Sequence, residues 1–269
     1  MSELWFVGVG LTDERDLSRR AIEVARSCDA IFAEEYTSVL AGGSLERLAA
    51  ELGRPIVRLD RPAVESEAPV LAALGRHRRV AFLTAGDPFG ATTHVALRLA
   101  AERAGHVWHY LPGASVLTAA AGYLGLIHYR FGRTVSIPFP EPNFSPTSPL
   151  EALARNRAAG LHTLVLLDLR PEAGRYLTAG EAIRVLRERG GADPETRFPG
   201  TTPVAVVARV GGESARAWYG PAEELQDLDF GPPLHALVVP ALPLHEQEAA
   251  ALERFRLVAR GPARPADEA

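Results

Sequence analysis

The stretch FLTAGDPFGATTH (Phe82–His94) leaves an apolar run through a turn that packs two glycines, a proline and an aspartate, and then starts a helix-like segment. A plain connector needs one or two turn residues. Here Gly86 and Gly90 free the backbone, Pro88 stiffens it, and Asp87 fixes a carboxylate at the end of a buried strand. In open α/β sheets, ligands bind beyond the carboxyl ends of the strands, where glycine lets main chain come close. A carboxylate there suits an ammonium, a hydroxyl or a cation. It equally suits the amides of its own turn, and the residues alone leave both readings open.

Two more strand ends have the same texture, GVGLTDE (Gly8–Glu14) and LPGASV (Leu111–Val116). Around them the first half alternates strand-like with helix-like segments. LWFVGVG, AIFAEEY and RVAFLTAG read as strands, while DERDLSRRAIEVARSCDA, SLERLAAEL, residues 69–75 and THVALRLAAERAG read as helices. HVWHYLPG followed by ASVLTAAAGYLG, with Ser115 at a helix N-cap, is a further strand–helix pair. Such alternation predicts a mainly parallel sheet covered by helices.

The texture then changes. SIPFPEPNFSPTSPLE (Ser136–Glu151) carries five prolines and no apolar period, which predicts an extended linker. Beyond it, LHTLVLLDL, TPVAVVARVG, ARAWYG and LHALVVPAL read as strands, two of them consecutive, so the second sheet should be mixed. TAGEAIRVLRERGG, AEELQDL and HEQEAALERFRLVA read as helices, the first opened by a Thr178/Glu181 capping box. The expected architecture is two α/β domains, 1–135 and 151–260, joined by a linker over 136–150, with residues 261–269 a disordered tail.

GVGLTDERD tempts a dinucleotide reading, with Glu34 about 24 residues on, near where a ribose-binding acid belongs. Asp13 replaces the third glycine, however, and Asp13, Glu14 and Asp16 crowd the place a pyrophosphate would take. A tight structural turn and a site for a ligand without phosphates both remain. No Walker loop, nucleophile elbow or HExxH is present, and the eight histidines show no zinc-ligand spacing, so no metal is expected. His162 and Asp168 stand at opposite ends of one strand, too far apart to act together.

A net charge of −4 gives no general attraction to nucleic acid, and no apolar run reaches membrane-spanning length. The single cysteine, Cys28, excludes an internal disulfide and fits a reducing, cytoplasmic setting as a packed thiol. All 29 basic residues are arginine, a bias that heat adaptation and a GC-rich genome explain equally well.

Taken together and in this order, GVGLTDERDLSRRAIEVARSCDAIFAEEYTS, LTAGDPFGATTH, YLGLIHYRFG, NRAAGLHTLVLLDL and DFGPPLHALVVP resemble the diphthine synthases. These are class III methyltransferases of tetrapyrrole methylase-like fold. The resemblance runs from residue 4 to about 250. It implies an S-adenosylmethionine-dependent N-methyltransferase (product S-adenosylhomocysteine), a homodimer with the donor in a cleft between two domains. The implied partner is translation elongation factor 2, whose histidine carries a 3-amino-3-carboxypropyl group. Carried over position by position, the resemblance implies a donor site of Leu11, Asp87, Gly90, Ser115, Val116, Leu167, Ala208 and His235. Asp87 is also the one named candidate for accepting a proton. Glu34, Glu35 and Tyr36 of AEEYTS sit at another strand end, either to stabilise a cationic product or to face solvent or a partner subunit. The competing reading within the fold is another class III methylase acting on a tetrapyrrole-like small molecule.

Overall fold

The computed structural model describes residues 1–34, 39–141, 146–190 and 196–257. Glu35 and Tyr36, and the tail at 261–269, lie outside the described residues. In the first half, strands β1 (Glu3–Gly10), β2 (Ala30–Glu34), β3 (Val57–Leu59), β4 (Arg79–Ala85) and β5 (Val107–Leu111) alternate with helices. The helices are α1 (Arg19–Arg26), α2 (Leu45–Leu52), α3 (Arg61–Glu65), α4 (Ala68–Leu74), α5 (Val95–Arg103) and α6 (Val116–Leu124). All five strands run parallel, in the order β3-β2-β4-β1-β5. Being covered on both faces, the central strands carry near-continuous apolar runs, with Phe6 and Phe82 fully buried.

Helix α1 begins later than its sequence suggests. Ser18 caps it by accepting a hydrogen bond from Ala21 N–H, and the acids at 14–16 form a separate 3₁₀ turn ahead of it. Its buried face consequently carries Ala21 and Ala25, with Val24 only partly buried. Cys28 is buried there, and burial pushes its thiol up to about 11, which makes it an inert packing group.

In the second half come β6 (Val135–Ile137), α7 (Ser148–Ala158), β7 (Thr163–Leu167) and a two-stranded hairpin, β8 (Leu169–Arg170) with β9 (Arg175–Tyr176). They are followed by α8 (Ala179–Arg189), β10 (Pro203–Ala208), β11 (Arg216–Pro221), α9 (Ala222–Leu225), β12 (His235–Val239) and α10 (Glu246–Glu253). The sheet order is β11-β10-β12-β7-β6; only β6–β7 is parallel, so the sheet is mixed. Strand β6 begins at Val135 and runs into the stretch that reads as a linker. It lies at the sheet edge, where the prolines that follow at 138 and 140 interrupt no second ladder. One face of this sheet packs on α7, α8 and α9. The other receives Ala120 and Leu124 of α6 and Leu252 of α10, so a helix that follows the first sheet seals the core of the second. This joint brings the carboxyl ends of β1, β4 and β5 to the ends of the inner strands β7, β10 and β12 of the mixed sheet.

Candidate functional site

Three glycines from three strand ends touch main chain to main chain. A Cβ on Gly113 would lie 2.1 Å from the Gly86 carbonyl oxygen, and one on Gly8 would lie 2.3 Å from Gly113 N. These glycines thus let the strand ends meet each other. Gly86 has a second duty: at φ 74 a Cβ would meet nothing within 4 Å, because the residue borders open space. Its N–H donates to the Gly10 carbonyl at 2.6 Å and ties the two turns together.

That open space is a cavity between the two sheets. Leu11, Asp87, Gly90, Ser115, Val116, Leu167 and His235 all line it, together with Thr84, Val207 and Arg209. Ala208 does not line it. It stands opposite His235 in the β10–β12 ladder, while Val207 packs toward α6, so alternation along the strand turns the Ala208 side chain to the other face. The His235 ring shares that outer face. Its Nδ1 accepts from Ala179 N–H at 3.3 Å, and its Nε2 therefore donates to the Pro232 carbonyl at 3.1 Å. Burial holds its pKa below the ordinary value, which agrees with a neutral ring bonded to the first turn of α8.

Asp87 is held on both sides. Oδ1 accepts from Phe89 N–H at 2.9 Å and Oδ2 from the Tyr110 hydroxyl at 2.5 Å. Burial, reinforced by the Asp87 carboxylate, pushes Tyr110 up to about 12, so it remains a donor. Behind the turn, buried His94 donates from Nδ1 to the Pro88 carbonyl at 2.8 Å and packs edge-on against Phe82. Its Nε2 faces the buried Glu34 carboxylate at 3.9 Å. Burial lowers the His94 pKa despite that carboxylate. The GDP turn is fixed from inside and outside, and its shape is set before any ligand arrives.

The first turn explains its own acids. Asp16 Oδ2 accepts from Leu11 N–H at 3.0 Å, Thr12 N–H at 2.7 Å and the Thr12 hydroxyl at 2.8 Å. The amides that a pyrophosphate would need are already taken by an internal carboxylate. Asp13 accepts from the backbone and guanidinium of Arg15. Ser115 caps α6 through Leu117 N–H at 3.3 Å, so the N-terminus of that helix opens on the cavity.

Two lining residues carry backbone strain that no sequence signal announced, Ala91 at φ 56 and Arg209 at φ 51. The Arg209 guanidinium is spent on the carbonyls of Phe230, Pro232 and Ser214, which braces the loop leading into β12. The resulting chamber has mainly aliphatic walls, one oriented carboxylate and one helix N-terminus. It suits a flat apolar ring carrying a zwitterionic end and offers no cradle for phosphates.

Residues 3–226 match the family model for tetrapyrrole (corrin/porphyrin) methylases. The diphthine synthase of Methanocorpusculum labreanum is 42% identical over 253 residues, covering 94% of this chain and 98% of that protein. The diphthine synthase of Methanococcus maripaludis strain C5 is 39% identical over 250 residues, 93% of this chain and 97% of its own. A crystal structure of a diphthine synthase superposes with a TM-score of 0.85 at 33% identity, covering 95% of this chain and 96% of the other.

Proposed function

The chain belongs to the tetrapyrrole methylase family, as a methyltransferase of the diphthine synthase type that uses S-adenosylmethionine, and from that premise we propose its substrate and donor site. The acceptor is the amino group of the 3-amino-3-carboxypropyl-histidine of translation elongation factor 2, which makes the reaction a step of diphthamide biosynthesis. The observation that carries this reading is the near-full-length match to diphthine synthases, joined to a cavity whose walls fit a donor without phosphates.

In that cavity, Leu11, Val116 and Leu167 offer the apolar surface for the donor's adenosine, and Gly86 leaves room beside it. The N-terminus of α6 at Ser115 and Val116 faces a carboxylate favourably, and Asp87 faces an ammonium. Gly90 and His235 complete the wall, with Ala208 supporting it from the next layer. The donor supplies a methyl group already activated on a sulfonium.

The protein's share of the work is therefore alignment and exclusion of water. Holding the amine on the line of displacement can supply roughly 7–11 kcal/mol of the barrier. The nitrogen lone pair forms the N–C bond as the C–S bond breaks onto sulfur, and the ammonium then gives its proton to water before the next transfer. With both Asp87 oxygens engaged by Phe89 and Tyr110, that carboxylate holds charge and shape at the turn, and solvent takes the proton.

The enzyme acts in the cytoplasm and as a homodimer. Supporting the second point, Val95 and Leu99 of α5 and Val107 and Tyr110 of the edge strand β5 leave apolar surface exposed. No described helix is long and apolar enough to cross a membrane. Incubation with S-adenosylmethionine and elongation factor 2 bearing the unmethylated intermediate should add mass in whole methylene steps at the modified histidine. An unchanged mass under conditions where the donor binds would refute the substrate.

A further inference from the structure

A second cleft, of about 860 Å³, opens beside the donor cavity. The two share Val39 and Leu169 in their walls, so they meet along one edge. Their chemistry differs. The first is mainly aliphatic, whereas the second presents ionic groups of both signs, Arg58, Arg61, Arg170, Asp60 and Glu172 among them. Among the described residues, Tyr176 is the one aromatic residue in its wall, and no Phe, Tyr or Trp lines the donor cavity.

Tyr176 is placed by the β8–β9 hairpin. It pairs directly with Leu169, so both side chains stand on one face with Cβ atoms about 5 Å apart. Leu169 borders both spaces, which puts the tyrosine at their junction. The hairpin is well anchored. Asp168 accepts from Leu169 N–H at 3.0 Å and Phe139 N–H at 3.2 Å. The guanidinium groups of Arg170 and Arg175 stack on Phe139 at 5.3 and 4.4 Å, and Arg170 pairs with Glu141 at 2.5 Å.

We propose that this second cleft receives the amino-acid arm of the acceptor, with the face of Tyr176 against its methylated ammonium and the Arg58–Arg61 side toward its carboxylate. The inference rests on the function proposed above. An amine gains positive charge at each transfer and loses N–H donors as methyl groups accumulate. A fully substituted ammonium cannot donate a hydrogen bond at all, so a ring face is the group that recognises it. A lining of mixed sign fits a zwitterion.

The test is steady-state kinetics on modified elongation factor 2, with mass spectrometry resolving successive methylation states and calorimetry measuring S-adenosylhomocysteine binding. Tyr176→Ala should lower kcat/KM for the acceptor about 10-fold and accumulate partly methylated product, within the range that loss of a desolvated cation–π contact allows. Tyr176→Phe, which keeps the ring and loses only the hydroxyl, should recover most of that loss. The affinity for S-adenosylhomocysteine should stay the same in both variants. Wild-type kinetics in Tyr176→Ala, or a loss of cofactor affinity as large as the kinetic loss, would overturn the inference. A wild-type enzyme that leaves the factor unmethylated would instead refute the substrate reading, and this inference with it.

Discussion

Asp87 lines the candidate donor cavity, and its surroundings make its contribution measurable. Its carboxylate links the Phe89 amide to the Tyr110 hydroxyl across the mouth of the GDP turn. Replacing it by alanine removes both bonds and should cost about 1–2 kcal/mol of folding stability, read from urea unfolding. It should also weaken S-adenosylhomocysteine binding about 10-fold or more by calorimetry, since an ion-paired contact is lost together with turn order. Tyr110→Phe leaves the carboxylate in place and should show a smaller effect on both; undiminished affinity in Asp87→Ala would take the residue out of the donor site. GDPFG predicts a fixed carboxylate at this turn and leaves its ligand and turn-only roles both open, while Leu11, Gly90, Ser115, Val116, Leu167 and His235, implied by the resemblance, line the same cavity as Asp87. The internal engagement of Asp87 is not legible in the sequence, because Tyr110 reaches it from another strand, 23 residues away. Ala208 illustrates the opposite limit: the right strand end was evident, but the alternation that turns its side chain away shows only in the ladder.

At the scale of elements, the three strand-end glycines form a joint. Gly113→Ala would drive a Cβ into the Gly86 carbonyl and the Gly8 main chain, contacts that no rotamer can relieve. It should destabilise the fold by about 2 kcal/mol or more, and binding of the cofactor should fall with it. Gly86 answers differently, since space is open there and the obstacle is its positive φ. The helix opposite the cavity provides a milder test. Thr178 caps α8 in a complete capping box, and Thr178→Ala should cost about 1 kcal/mol in a denaturant titration without moving cofactor affinity. Caps, turns and apolar runs are local, which is why most helices and strands were readable in the sequence. Strand β6 is hidden in the sequence because an edge strand of three residues, followed by prolines, carries no period to detect. Helix α1 starts later than its acids suggest because Asp16, which looks like part of a helix start, instead closes a turn on Leu11 and Thr12.

At the scale of the molecule, one buried carboxylate holds distant parts together. Glu248 of α10 accepts from Ile127 N–H at 3.0 Å, His162 Nε2 at 2.9 Å and His245 N–H at 3.1 Å, and pairs with Arg130. Ala241 N–H donates to His162 Nδ1, so the ring is neutral and its Nε2 carries the proton. Burial alone would raise the Glu248 pKa, but the donors from Ile127, His162 and His245 outweigh it and hold the carboxyl at about 2. A carboxyl depressed from an ordinary 4.5 stabilises the fold fully above that pH. The contribution, about 2–3 kcal/mol, is lost as pH falls from 4.5 toward 2. His162, which burial keeps below its usual 6.5, adds a loss of the same sign beginning as pH drops beneath that value. Urea unfolding across this range should show the slope in wild type and a flatter, lower curve in Glu248→Gln; a flat wild-type curve would contradict it. Beyond the local cap from His245, nothing in the sequence announces this network, because its other partners lie 86, 118 and 121 residues from Glu248 along the chain.

The central claim is that loops from both sheets enclose the methyl donor, and a crystal of this protein grown with saturating S-adenosylhomocysteine tests it most directly. The expected result is the cofactor lying between the GVG, GDP and PGASV turns, in contact with Leu11, Asp87, Ser115, Val116 and Leu167. A cofactor bound elsewhere, or no binding at saturation, would contradict the account.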